Sequence, residues 1–249
     1  MMEFGLIGYP LTHSFSAKYF NDKFKQEAIE ARYLNFEISD IHQINNIIDH
    51  HPTLKGLNVT IPYKEQVIPF LDDISPAAEA IGAVNVITIE RDNGSSKPKL
   101  VGHNTDYLGF KHSIEPHITA SHRKALVLGT GGASKAVGYA LTQLGIEWIY
   151  VSRSKGNNET LTYNDLNQEV LSDYTVIINA SPVGTYPNVN EAPNIPYNTL
   201  TSQHLLYDLV YNPAETLFLK KGSDLGAVVK NGAEMLTLQA LAAWDIWNK

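Results

Sequence analysis

Apolar runs of strand length alternate with helical patterns along almost the whole chain. Strand-like runs fall at 3–9, 32–38, 56–61, 84–90, 100–103, 125–128, 148–152, 176–180, 205–210 and 227–229. Between them, apolar positions recur at helical spacing over 17–28, 41–51, 76–81, 107–117, 134–144, 214–221 and 232–247. Strands that alternate with helices in this way predict an α/β fold with mostly parallel sheets. Asp92-Asn-Gly-Ser-Ser-Lys-Pro98 has turn chemistry and predicts a hairpin. The Pro- and Asn-rich stretch 185–201 reads as a long loop.

One element carries a recognisable cofactor signal. The apolar run Lys124-Ala-Leu-Val-Leu128 leads into Gly129-Thr130-Gly131-Gly132-Ala133-Ser134 and then a helical pattern. Glycines at 129 and 131 let the backbone turn tightly and approach a pyrophosphate, whose charge the following helix N-terminus favours. Ser134 replaces the third glycine of the common pattern. The second strand of the unit ends in Ser152-Arg153-Ser154-Lys155. An acid at this point would select NAD through the ribose 2′-hydroxyl. A guanidinium instead suits the 2′-phosphate of NADP.

The glycine loop begins mid-chain, which predicts a substrate domain of 1–105 plus 232–249 and an NADP-binding Rossmann domain of 106–231. The last helix would pack back on the first domain, and ligands would bind in the cleft between the two.

Three polar clusters precede the loop. In Gly8-Tyr-Pro-Leu-Thr-His-Ser14-Phe-Ser16, two hydroxyls leave a strand end. They suit a polyhydroxy or carboxylate ligand, and equally a cap for the helix at 17–28. In Asn58-Val-Thr60-Ile-Pro62-Tyr-Lys64, alternation puts Asn58 and Thr60 on one face, and Pro62 leaves Lys64 at the strand exit. Asn104-Thr-Asp106 lies at another exit. Lys64 with Asp106 would make a proton-handling pair, or a plain ion pair of little worth.

Together these segments resemble the shikimate dehydrogenase family, with Ile81-Gly-Ala-Val-Asn85, Asn179-Ala-Ser181-Pro-Val-Gly184, Asp208-Leu209-Val-Tyr211-Asn-Pro213 and Asn231-Gly232-Ala-Glu-Met235 with Gln239 completing the series. The resemblance implies reversible, NADPH-dependent reduction of 3-dehydroshikimate to shikimate, a step of aromatic amino-acid biosynthesis. It implies Lys64 and Asp106 as the catalytic pair, and leaves open whether Lys64 gives the proton or mainly holds developing charge. Ser14, Ser16, Thr60, Asn85, Tyr211 and Gln239 would bind shikimate. Gly129, Thr130, Gly131, Gly132 and Ala133 would cradle pyrophosphate, and Ser152, Arg153 and Ser154 would surround the 2′-phosphate. Asn179, Ser181, Leu209 and Gly232 would line the rest of the groove. Departures from the family pattern are Val86, Tyr107, Ser152 and Thr185. A quinate-using relative and a non-catalytic NADP-binding sensor of the same fold are the alternatives.

Bulk properties narrow the field further. Of 249 residues, 43% are hydrophobic and 18% charged, as in ordinary globular proteins. A net charge of -7 with no basic run disfavours nucleic acid as a partner. With no cysteine there is no disulfide or thiolate metal site, and a reducing compartment is expected. The nine histidines lack ligand spacing, so no metal is expected. No signal peptide or membrane-length apolar run is seen, and a cytoplasmic location is expected. A monomer or homodimer is expected, with no sequence feature that decides between them.

Overall fold

The structure is a computed structural model, and it describes residues 1–11, 15–91, 97–155 and 160–249. The fold is α/β and two-domain, with a six-stranded sheet in each of two compact units. One unit comprises Met1–Thr105 with Ala240–Lys249, the other Asp106–Gln239.

In the first unit, β1 (Met2–Gly8), β2 (Ala31–Glu37) and β3 (Leu54–Val59) are joined by α1 (Phe15–Gln26) and α2 (Ile44–His50). A short α3 (Tyr63–Gln66), the two-residue β4 (Asp73–Ile74), α4 (Pro76–Ile81), β5 (Val86–Glu90) and β6 (Lys99–His103) follow. The sheet order is β2-β1-β3-β5-β6-β4. β5 alone runs against its neighbours, because it is the first arm of a hairpin whose other arm is β6. The tip of that hairpin, 92–96, lies outside the described residues.

One sheet face packs on α2 and α3 through Ile44, Leu57 and Val67; the other carries an aromatic cluster of Phe4, Phe20, Phe24 and Tyr33. Trp244 and Trp247 close that cluster, and the Trp247 Nε1 donates to the Ile87 carbonyl at 3.1 Å.

The second unit begins with α5 (Asp106–Ile114) and continues through β7 (Lys124–Leu128), α6 (Gly132–Gln143), β8 (Glu147–Ser152) and β9 (Thr160–Thr162). Then come α7 (Gln168–Asp173), β10 (Val176–Asn179), β11 (Leu205–Asp208), α8 (Leu217–Ser223) and β12 (Val228–Asn231). The sheet is parallel throughout, in the order β12-β11-β10-β7-β8-β9. Two mononucleotide-type halves therefore diverge from β7 and β10, the doubly wound order of a dinucleotide-binding domain.

Helix α9 (Ala233–Trp247) is shared by the two units. Its first turns, expected with the substrate domain, cluster with the second unit, because Met235 joins that unit's core beside Phe110. Gly109 on α5 permits the approach, since a β-carbon there would lie 2.5 Å from the Met235 carbonyl oxygen.

Two histidines serve structure. In Thr119-Ala-Ser-His122 and Thr201-Ser-Gln-His204, the ring Nδ1 accepts the threonine amide at 3.1 and 3.0 Å. The opposite nitrogens reach the carbonyls of Gln203 and Leu171. No cluster of metal-ligand side chains occurs among the described residues, and no helix among them is long and apolar enough to cross a membrane.

Gly56 admits the Trp247 indole, which a β-carbon there would approach to 2.1 Å. Gly56→Ala is expected to cost about 1–3 kcal/mol through overpacking. Urea unfolding measures it, and an unchanged midpoint would refute the packing account.

Candidate functional site

In the first unit the site residues gather where β1 and β3 end. Thr60 donates its amide to the Ile7 carbonyl, and Tyr9 donates to Ile61, both at 3.0 Å. Gly8 makes this possible, because a β-carbon there would lie 2.4 Å from the Thr60 methyl. The chain then turns into α3, which carries Lys64. Its backbone is pinned twice: the Val84 amide donates to the Lys64 carbonyl at 2.7 Å, and the buried Tyr63 phenol donates to the Ile38 carbonyl at 2.6 Å. Lys64 itself is half-buried, so its ammonium is carried on a fixed base at the strand exit.

Beneath these residues runs a buried polar chain. The Tyr33 phenol donates to Asn58 Oδ1 at 2.6 Å, and Asn58 Nδ2 donates to the Asn85 carbonyl at 3.3 Å. Ser16 hydrogen-bonds the same phenol. Burial nonetheless holds the Tyr33 hydroxyl well above the usual phenol range, with the Ser16 bond pulling the other way. Asn85 grips Thr105 with both ends of its amide: Nδ2 to the hydroxyl at 3.0 Å, and Oδ1 from the amide at 2.7 Å. Thr105 directly precedes Asp106, so Asn85 fixes the backbone from which that carboxylate departs. Asn104, also buried, donates to the Ala83 carbonyl at 2.9 Å.

Helix α1 starts at Phe15, which puts Ser16 inside the first turn rather than at the cap position. Ser14 lies outside the described residues. Tyr33 was not among the sequence candidates. It lies 25 residues from Asn58, and no local signal in the sequence links the two.

In the second unit, β7 passes into Gly129 with φ +111, a left-handed conformation that favours glycine. A β-carbon at 129 would stand 3.2 Å from the Ala180 carbonyl oxygen, so the loops after β7 and β10 touch. At Gly131 a β-carbon would meet nothing within 4 Å, and no side chain caps α6. The first-turn amides of α6 have no partner inside the helix, so they form an uncapped cradle facing open space. Thr130 is exposed, Gly132 and Ala133 are half-exposed, and Ser134 is buried with its hydroxyl unpartnered. These features fit a pyrophosphate.

At the end of β8, the Ser152 hydroxyl donates to the Ser154 carbonyl, folding the turn that exposes Arg153 and Ser154. Arg153 lies near Tyr163, whose phenol is raised by burial and partly restored by the guanidinium charge. Residues 156–159 of this turn are outside the described set.

Across the switch point, Asn179 is fully buried and organises the loop after β10. Its Oδ1 accepts the Ser181 hydroxyl at 2.6 Å and the Ser181 amide at 3.2 Å. Its Nδ2 donates to Asp208 Oδ1 at 2.9 Å and to the Val183 carbonyl at 3.1 Å. Asn179 thus shapes the groove from below. The Leu209 amide donates to the Asn179 carbonyl at 2.9 Å, and Gly232 abuts the Leu209 carbonyl, where a β-carbon would stand at 2.2 Å. Tyr211 is 43% exposed. Gln239 is buried on α9 and donates to the Leu236 carbonyl at 2.9 Å. Asp106 opens α5 and is buried at 7% exposure, where the helix dipole favours negative charge. Tyr107, a departure from the family pattern, packs edge-on against Tyr139 of α6.

Ser16, Thr60, Lys64 and Asn85 therefore belong to the first unit, and Asp106, Tyr211, Gln239 and every cofactor candidate to the second.

Known proteins point the same way. A model of the shikimate dehydrogenase substrate binding domain matches residues 6–87. A shikimate dehydrogenase (NADP(+)) from Clostridium beijerinckii is 42% identical, over 100% of this chain and 93% of that protein. The crystal structure of shikimate dehydrogenase 1 from Peptoclostridium difficile aligns with a TM-score of 0.83 at 39% identity, covering 100% of this chain and 92% of the other. The Thermus thermophilus shikimate 5-dehydrogenase, solved with NADP(H) and shikimate, aligns at 0.85 with 28% identity, over 99% of this chain and 93% of that one. The strand order, the uncapped glycine loop and near full-length identity to these enzymes converge: the chain belongs to the shikimate dehydrogenase family.

Proposed function

We propose that this chain reversibly reduces 3-dehydroshikimate to shikimate with NADPH, using Lys64 and Asp106 as its catalytic pair. The observation that carries the assignment is the pinned backbone at Lys64. A long cationic side chain on a rigid base loses less freedom when it meets a ligand than one on a loose loop.

NADPH, when bound, would supply the hydride for the C3 carbonyl carbon of the ring. The carbonyl electron pair moves onto oxygen, and a proton completes the hydroxyl. The Lys64 ammonium stabilises that developing charge and gives the proton. Asp106 accepts a hydrogen bond from the neighbouring ring hydroxyl and orients Lys64. Ser14, Ser16, Thr60, Asn85, Tyr211 and Gln239 hold the remaining hydroxyls and the carboxylate. Gly129 to Ala133 hold the pyrophosphate with the amides of α6. Ser152, Arg153 and Ser154 would hold the 2′-phosphate, whose charge the Arg153 guanidinium suits. Asn179, Ser181, Leu209 and Gly232 form the remaining wall. Unit 1 is thus the substrate domain and unit 2 the NADP domain. The enzyme works in the cytoplasm as a monomer or homodimer.

Steady-state kinetics test the assignments. Lys64→Ala is expected to lower kcat by about 10²- to 10⁴-fold. The KM for shikimate should change far less; a large rise in KM with turnover intact would contradict the role. Arg153→Ala should raise the KM for NADP⁺ by about 10- to 100-fold, the worth of a charge-assisted pair, and leave the shikimate KM nearly alone. An unchanged NADP⁺ KM would remove Arg153 from the site. Tyr33→Phe removes the phenol hydroxyl that bonds both Ser16 and Asn58 and should raise the shikimate KM by about fivefold, one hydrogen bond's worth, at near-constant kcat. A fall in kcat alone would place Tyr33 elsewhere in the mechanism.

A further inference from the structure

Asp208 closes β11 and is completely buried. Three donors converge on its carboxylate. The Thr216 hydroxyl donates to Oδ2 at 2.6 Å. The Val210 amide and Asn179 Nδ2 donate to Oδ1 at 3.0 and 2.9 Å. From the elements packed around it come Asn179 on β10, Asn231 in register on β12, Thr216 at the start of α8, and the Tyr197 phenol, which feels its charge.

Its partners tie it to the loops after β10 and β11 and to the start of α8. Through Asn179 it reaches the Ser181 hydroxyl and amide. The amide of its direct neighbour Leu209 donates to the Asn179 carbonyl, and the backbone of Gly232 lies against the Leu209 carbonyl. Through Thr216 it is tied to the cap of α8, because that hydroxyl also accepts the Leu219 amide at 3.3 Å. These segments follow β10 and β11, in the half of the sheet opposite to Arg153. A doubly wound sheet binds one mononucleotide per half, so this half takes the nicotinamide end.

We propose that Asp208 is a positioning residue that locks the loops after β10 and β11 together and so sets the nicotinamide half of the cofactor groove. The proposal rests on the NADP reading above. An asparagine would fill the same space without burying a charge, so a carboxylate here is retained at a cost in stability. Burial pushes its carboxyl up to about 6, against the pull of Thr216, Val210 and Asn179. The folded value lies above the unfolded 3.8, so the group's stabilising contribution is complete below that pH and is lost as pH rises through about 6. At neutral pH the ionised form accepts all three donors. Once protonated, one oxygen becomes a donor, and the junction loses an acceptor.

Calorimetric titration of NADP⁺ into the whole protein at pH 5.5 and 7.5, with melting temperatures measured alongside, tests this. Asp208→Asn should melt no lower than the parent at pH 7.5 and yet bind NADP⁺ about tenfold more weakly, the equivalent of one hydrogen bond. A merely structural residue would not show that split. The parent should also lose more affinity between pH 7.5 and 5.5 than the variant. The 2′-phosphate itself titrates near pH 6, but equally for both proteins, so the difference between them is the reading. Equal affinities with equal pH dependence would overturn the proposal. If Asp208→Asn does not fold, Thr216→Val carries the test. It keeps the carboxylate, removes one donor, and should move the acid loss of affinity to higher pH; an unmoved profile overturns the role. Failure of the parent to bind NADP⁺ at all would instead defeat the cofactor reading.

Discussion

Where β7 and β10 part, the backbone after β7 takes a left-handed conformation while passing almost in contact with the loop after β10. Gly129 does this with a positive φ and its amide bonded to the Val151 carbonyl at 2.9 Å. Ala180 on the other side donates to the Leu128 carbonyl at 3.0 Å. The cofactor half of the molecule depends on that junction. From it α6 departs with an uncapped N-terminus, the β8 turn presents Arg153 to one side, and the Asn179–Asp208 junction builds the other side. Any side chain at 129 would need both the wrong backbone conformation and space occupied by Ala180.

The first unit solves a different problem. A polyhydroxy ring needs several fixed polar groups, and fixing them requires a rigid polar layer beneath. Tyr33, Asn58 and Asn85 supply it beside a core of aliphatic and aromatic side chains. Each buried side-chain polar atom of these three residues has a hydrogen-bond partner, which lets such a network rigidify its surroundings rather than weaken them. The network ends at Thr105, one residue before Asp106.

Much of this was legible in the chain. The longer strands announced themselves through apolar runs, and the glycine loop, Arg153 and the Lys64 strand exit could be placed on elements before any coordinates. What escaped has physical reasons. β4 and β9 are two and three residues long, too short for a period to register. Helix α7 is a polar Gln-Glu-Val-Leu-Ser-Asp with one buried position, so its pattern is faint. α8 starts at Leu217, later than its apolar pattern, because the Thr216 hydroxyl caps it. The long loop at 185–201 contains a 3-10 turn at Tyr197–Thr199, held by buried Ile195 and Leu200. Tyr33 and Asp208 carry roles set by partners far along the sequence, which periodicity does not encode. The close approach of α9 to α5 at Gly109 joins positions more than a hundred residues apart, which no local pattern encodes.

The central claim is that this chain oxidises shikimate with NADP⁺. The most direct measurement follows reduced-nicotinamide absorbance after shikimate is added to purified protein, with NADP⁺ and NAD⁺ in separate cuvettes. The account predicts rapid absorbance gain with NADP⁺ and a much slower one with NAD⁺. Comparable rates would undo the Arg153 argument, and no absorbance change with either cofactor would contradict the account itself.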